Sequence, residues 1–105
     1  MKRTSIGLPQ SMAAVVAHGP GDYRLEERPV PVPGPREVVI KVKSTGICAS
    51  DMKCYTGAPM FWGDKDRPGY CQPPVTPGHE FVGEVVGLGE GAGDFYGLEI
   101  GDHAI

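Results

Sequence analysis

Glu37-Val38-Val39-Ile40-Lys41-Val42-Lys43 is the stretch on which the fold turns. Val38, Ile40 and Val42 fall on one side, and Val39, Lys41 and Lys43 on the other, the period-two pattern of a strand with one sheltered face. Ile40 and Val42 are therefore predicted core residues. Phe81 to Leu88 is a second such run, and Gly83 within it predicts a bulge or a place where another backbone comes close. Upstream, Met12 to Ala17 and Tyr23 to Arg28 read as strands joined through His18-Gly19-Pro20-Gly21-Asp22 as a hairpin. Pro29-Val30-Pro31-Val32-Pro33-Gly34-Pro35 lacks amide donors at alternate positions, so it predicts an extended connection rather than a strand.

Sixteen glycines and eleven prolines in 105 residues cut the chain into short pieces, which favours turn-linked strands over long helices. Only Ser50 to Tyr55 reads as helical, with Ser50 or Asp51 placed to cap it. Gly57 to Pro77 reads as a surface loop carrying Phe61, Trp62 and Tyr70, and such loops often carry function. The expectation is one mainly β domain with one short helix, an all-β barrel or sandwich with a modest core.

Composition narrows the function classes. Three cysteines are an odd number, and Met1-Lys2-Arg3 is followed by no hydrophobic stretch, so reduced thiols and a cytoplasmic location are expected. The apolar runs are far below the length of a membrane span. Net charge is −3, with seven Lys/Arg against four Asp/Glu in residues 1 to 43 and six Asp/Glu with no Lys or Arg in residues 78 to 105. That distribution offers no basic groove for nucleic acid, and the acidic end reads as solvated turns and strand edges.

Gly87-Leu88-Gly89-Glu90-Gly91-Ala92 fits the dinucleotide string G-x-G-x-x-G/A and follows a strand, but no helix and second parallel strand are predicted after it. It is read as a glycine-rich turn. Cys48 and His79 carry more information. Cys48 lies in Thr45-Gly46-Ile47-Cys48-Ala49-Ser50-Asp51 just after a strand, and His79 lies in Pro77-Gly78-His79-Glu80 just before one. One soft and one borderline ligand suit Zn²⁺, and few protein ligands leave a position open to polarise a substrate oxygen. If one tetrahedral centre joins them, their S and N atoms must come within about 4 Å of each other.

The order and spacing of Glu37 to Val42, Gly46-Ile47-Cys48-Ala49-Ser50-Asp51, Gly78-His79-Glu80, Gly83 and Gly101-Asp102 resemble the start of zinc-dependent medium-chain alcohol dehydrogenases. The resemblance covers roughly residues 12 to 105, after a tail of residues 1 to 11. It implies a GroES-like, partly open β-barrel catalytic domain, of which this chain looks like the first part, with a nucleotide-binding domain to follow. It further implies Cys48 and His79 as zinc ligands, Asp51 as acceptor of the other ring hydrogen of His79, and Ser50 as the hydroxyl that passes the alcohol proton outward. Glu80 approaches or binds zinc in the polyol and threonine dehydrogenases of that family and sits behind the metal in the simple alcohol dehydrogenases; both readings stay open. His18, His103, Cys54 and Cys71 match no motif position, His18 reading as a turn residue and His103 as a strand residue.

The implied reaction is oxidation of an alcohol or polyol, with hydride passing to NAD or NADP held mainly by the other domain. Residues 1 to 105 alone are expected to be inactive. A homo-oligomer is expected, because apolar loop residues such as Phe61 and Trp62 would lack a covering domain. Ala49 departs from the family in replacing a glycine beside the ligand, and the loop from Ala58 to Pro74 is similar to that of sugar-alcohol members. Two alternatives remain: a stand-alone GroES-like binding module in which Cys48 and His79 are incidental, and a zinc-free reductase of the same superfamily.

Overall fold

The computed structural model describes residues 7–105, so the expected tail at residues 1 to 11 lies largely outside the described residues. The chain is mainly β. In order it forms β1 (Ser11–Gly19), β2 (Asp22–Pro29), β3 (Val38–Thr45), α1 (Ala49–Thr56), α2 (Pro59–Trp62), β4 (Phe81–Leu88), α3 (Ala92–Tyr96) and β5 (His103–Ala104). The strands make two sheets, β1-β2 and β3-β4-β5. Two compact units divide the chain, one of residues 13–28 and 47–79, the other holding residues 29–46 and 80–105.

In the second of these units β4 is the central strand, antiparallel to both neighbours. Ile40 faces Val85, Val42 faces Gly83 and Thr45 faces Phe81, with register shifts between Val39 and Ile40 and between Val42 and Ser44. Val85 and Val86 are completely or almost completely buried and, with Ala92, form the core of this unit. Val38, Val39 and Ile40 lie at one intermediate depth rather than alternating, which takes Ile40 out of the predicted core, and the same correction applies to Val42, which is 53% exposed. Its cross-strand partner is a glycine, so no side chain covers it from that side. Gly83 makes the predicted close approach: a Cβ there would overlap the carbonyl oxygen of Lys41 and the side chain of Ile40.

The glycine-rich string has the same kind of explanation. A Cβ on Gly89 would overlap the carbonyl oxygen of Gly34, and the Gly89 amide donates to Glu37 O at 2.8 Å. Backbone packing by itself requires glycine there. The string leads into α3, five residues long, and then a turn into antiparallel β5, so the parallel crossover of a dinucleotide site is absent among the described residues.

In the first unit the β1-β2 hairpin turns at Pro20-Gly21, and the Gly21 amide donates to Tyr55 O at 2.8 Å at the end of α1. Val16, Ala17 and Cys54 are buried, and Tyr23 and Tyr55 pack edge to face with centroids 4.9 Å apart. Ala17 pairs with Val75 through both backbone hydrogen bonds, at 2.7 and 3.1 Å. His18 is corrected from a turn residue to a β1 residue, its ring bonded across the hairpin to Glu26 of β2. The single expected helix is joined by α2 and α3, each too short to show a helical period in sequence. His103 lies in a strand as expected.

Candidate metal centre

Helix α1 fixes most of the centre. Its N-cap is Cys48, in an extended conformation, rather than Ser50 or Asp51 as the sequence suggested. Asp51 takes the third helical position and reaches back, Oδ2 accepting the Cys48 amide at 2.9 Å, which satisfies a donor left over by the helix start. A carboxylate in the first turn also faces the positive end of the helix dipole. Gly57 closes the helix in the left-handed region, φ 96°, where a side chain would be strained. The helix and its N-cap thus present Cys48, Ser50 and Asp51 at one end and Cys54 near the other.

His79 comes from a separate segment, four residues after Val75 is tied to β1. It lies thirty-one positions from Cys48, yet Cys48 Sγ and a ring nitrogen of His79 come within 4.8 Å of each other. The two sides of the ring meet different partners. Nδ1 lies 3.4 Å from Asp51 Oδ1, and Nε2 lies 3.4 Å from Ser50 Oγ. Asp51 therefore uses one oxygen on the helix start and the other on the histidine. The His79 side chain is 54% exposed and that of Asp51 27%, so the ring is reachable from solvent while its carboxylate partner is sheltered.

Glu80 follows His79 directly and leads into β4. Its carbonyl accepts the Gly46 amide at 2.8 Å and the Thr45 hydroxyl at 3.0 Å, which fixes its backbone. A Cβ on Gly46 would stand 3.1 Å from Glu80 Oε1, so the bare glycine leaves room for that carboxylate.

The support around the far end of α1 was not visible in sequence. Trp62 Nε1 donates to Cys54 O at 2.6 Å, and Tyr23 donates its hydroxyl to Cys54 Sγ at 3.3 Å. Burial, reinforced by the thiols of Cys54 and Cys71, pushes the Tyr23 hydroxyl well above the ordinary tyrosine range. Nothing in the spacing of Tyr23, Cys54 and Trp62 announces the arrangement, because it is assembled from a strand, a helix and a loop.

A thiol and an imidazole close enough to share one ion, with a carboxylate on one of the ring nitrogens, are a donor set that zinc accepts. The chemistry of the residues thus fits the metal. Among the described residues no helix is long and apolar enough to cross a membrane.

Residues 34–105 match the alcohol dehydrogenase GroES-like domain family. An erythritol/L-threitol dehydrogenase of Mycolicibacterium smegmatis is 53% identical over 93% of this chain and 27% of its own length. A sorbitol dehydrogenase of Halalkalibacterium halodurans is 44% identical over 81% of the chain and 21% of its own length. An (R,R)-butanediol dehydrogenase of Bacillus subtilis is 43% identical over 90% of the chain and 27% of its own length. The chain spans about a quarter of the length of these curated relatives. No solved structure gives a significant match. With the family model covering more than half of its residues, from the connection before β3 to the last residue, the chain belongs to the alcohol dehydrogenase GroES-like domain family.

Proposed function

We propose that this chain supplies the metal-binding part of the catalytic domain of a zinc-dependent dehydrogenase acting on a polyol, with NAD or NADP as hydride acceptor. The observation that carries the reading is the meeting of Cys48 and His79 from distant segments, with Asp51 and Ser50 on the two ring nitrogens. The names of the relatives, for erythritol or threitol, sorbitol and butanediol, all describe alcohols with more than one hydroxyl, which supports the substrate class.

Cys48 and His79 would hold the ion, and Glu80 is proposed as a third ligand through its carboxylate. Zinc bound there supplies positive charge that acidifies an alcohol oxygen. The remaining roles belong to the chain. Asp51 holds the Nδ1 proton of His79 and so leaves Nε2 as the donor nitrogen. The Ser50 hydroxyl, on the Nε2 side of the ring, is placed to accept the alcohol proton and hand it on. No residue of this chain is assigned to the nicotinamide, so hydride transfer is proposed for the whole protein and not for residues 1 to 105 alone. A location in the cytoplasm and a homo-oligomeric assembly complete the reading.

Metal analysis after dialysis tests it directly. The protein is expected to retain zinc, Cys48→Ser and His79→Ala to lose it, and Asp51→Asn to bind it about 10- to 100-fold more weakly. Equal zinc in wild type and Cys48→Ser would overturn the assignment.

A further inference from the structure

Glu80 is held by the residues at which β3 ends. The last pair of the β3-β4 ladder is Thr45 opposite Phe81, reached after the register shift between Val42 and Ser44. One step further, the Glu80 carbonyl accepts the Gly46 amide at 2.8 Å and the Thr45 hydroxyl at 3.0 Å, so both of its lone pairs are used. The hydroxyl also lies 3.4 Å from Gly46 O, but it has a single hydrogen and the shorter contact is the better bond. Thr45 is exposed, and without its hydroxyl the Glu80 carbonyl would keep the Gly46 amide. Stability alone therefore gives little reason for this bond. The side chain of Glu80 is confined from the same direction. A Cβ on Gly46 would stand 3.1 Å from Glu80 Oε1 and 3.7 Å from Glu80 Cβ. Gly46 is not among the glycines of positive φ, so the obstacle to a side chain there is the carboxylate and not the backbone conformation.

We propose that Thr45 and Gly46 are positioning residues for the Glu80 carboxylate, Thr45 by fixing the Glu80 peptide from which that side chain springs, and Gly46 by leaving the space it occupies. The inference rests on the reading of Glu80 as a third zinc ligand. Groups that hold a ligand without touching the metal set how well its donor atom is aimed, and losing one weakens metal binding while the ligand itself remains. Thr45 acts through the backbone of Glu80, and Gly46 through its carboxylate, so their effects should disappear once the carboxylate is removed.

Zinc affinity, read by competition with a chromophoric chelator, and the visible spectrum of the cobalt-loaded protein test the proposal together. Thr45→Val keeps the branched shape and removes the hydroxyl; it and Gly46→Ala are each expected to bind zinc about 10-fold more weakly and to shift the cobalt bands. Thr45→Ser, which restores the hydroxyl, should match the wild type in both. The urea midpoint of metal-free Thr45→Val should equal that of the metal-free wild type, and in a Glu80→Ala background neither substitution should weaken zinc further. Unchanged zinc affinity in Thr45→Val, or a loss that persists in full without the Glu80 carboxylate, would overturn the role of Thr45. Failure of the underlying reading looks different: Glu80→Ala would then bind zinc as tightly as the wild type, with the same cobalt spectrum. If Gly46→Ala fails to fold, the two Thr45 variants, at an exposed position, still decide the matter.

Discussion

The unit built on β3-β4-β5 and the unit containing α1 are held together by different means. In the first, a backbone ladder and the packing of Val85, Val86 and Ala92 dominate, and glycines sit where two backbones touch. In the second, only Val16, Ala17 and Cys54 are buried, and specific bonds from side chains take over: Trp62 to Cys54, Tyr23 to Cys54, and Asp51 to Cys48 and His79. A ladder tolerates many side chains but few changes of backbone spacing. A lattice of single bonds can aim groups such as Cys48 and His79, and each bond in it is individually vulnerable.

The sharpest way to break the β3-β4-β5 unit is to add one carbon where its backbones meet. Gly83→Ala and Gly89→Ala are each expected to cost about 3 kcal/mol, because the obstacle is backbone and cannot swing aside. Urea denaturation reads the loss directly. A cost below about 0.5 kcal/mol in both variants would mean that the ladder is not the rigid part of the molecule.

A smaller change separates the two regimes. Trp62→Phe keeps an aromatic ring and removes the donor to Cys54 O, which then keeps only the Gly57 amide at 3.3 Å, at a cost of about 1 kcal/mol. Amide exchange should quicken through the last turn of α1 and stay unchanged in β4. Equal acceleration in both places would erase the distinction between the units.

The smallest expected effect is a dependence on alkaline pH. Tyr23 has its folded-state pKa raised, chiefly by burial, so its contribution is fully present below the unfolded value near 10 and declines as pH climbs beyond it. Stability should therefore fall above about pH 10 and fall less in Tyr23→Phe. An absorbance titration should show one of the four tyrosines ionising after the others.

The same contrast decides what could be read from the sequence. Strand β4 was legible to the residue, and β3 to within two, because their period survives without knowledge of the partner strand. Val42 was misread because its exposure depends on the glycine opposite, a fact of register and not of the strand itself. Helices α2 and α3 were missed because four or five residues cannot display a helical repeat. Cys48, Ser50, Asp51, His79 and Glu80 stood out through their motifs, and the structure brings the thiol of Cys48 and the ring of His79 together with Ser50 and Asp51. The cap at Cys48 was not legible, since cysteine is no usual helix starter and the bond that makes it one comes from Asp51.

Asp51 divides its two oxygens between the first amide of α1 and the ring of His79. In dynamic terms, the fraying of that helix end and the swing of the histidine are then one motion, because releasing either partner frees the carboxylate to leave the other. Whatever immobilises His79 also protects the amide of Cys48 from exchange with solvent. The start of α1 is a built-in reporter of how firmly the histidine is held, readable without any turnover of substrate.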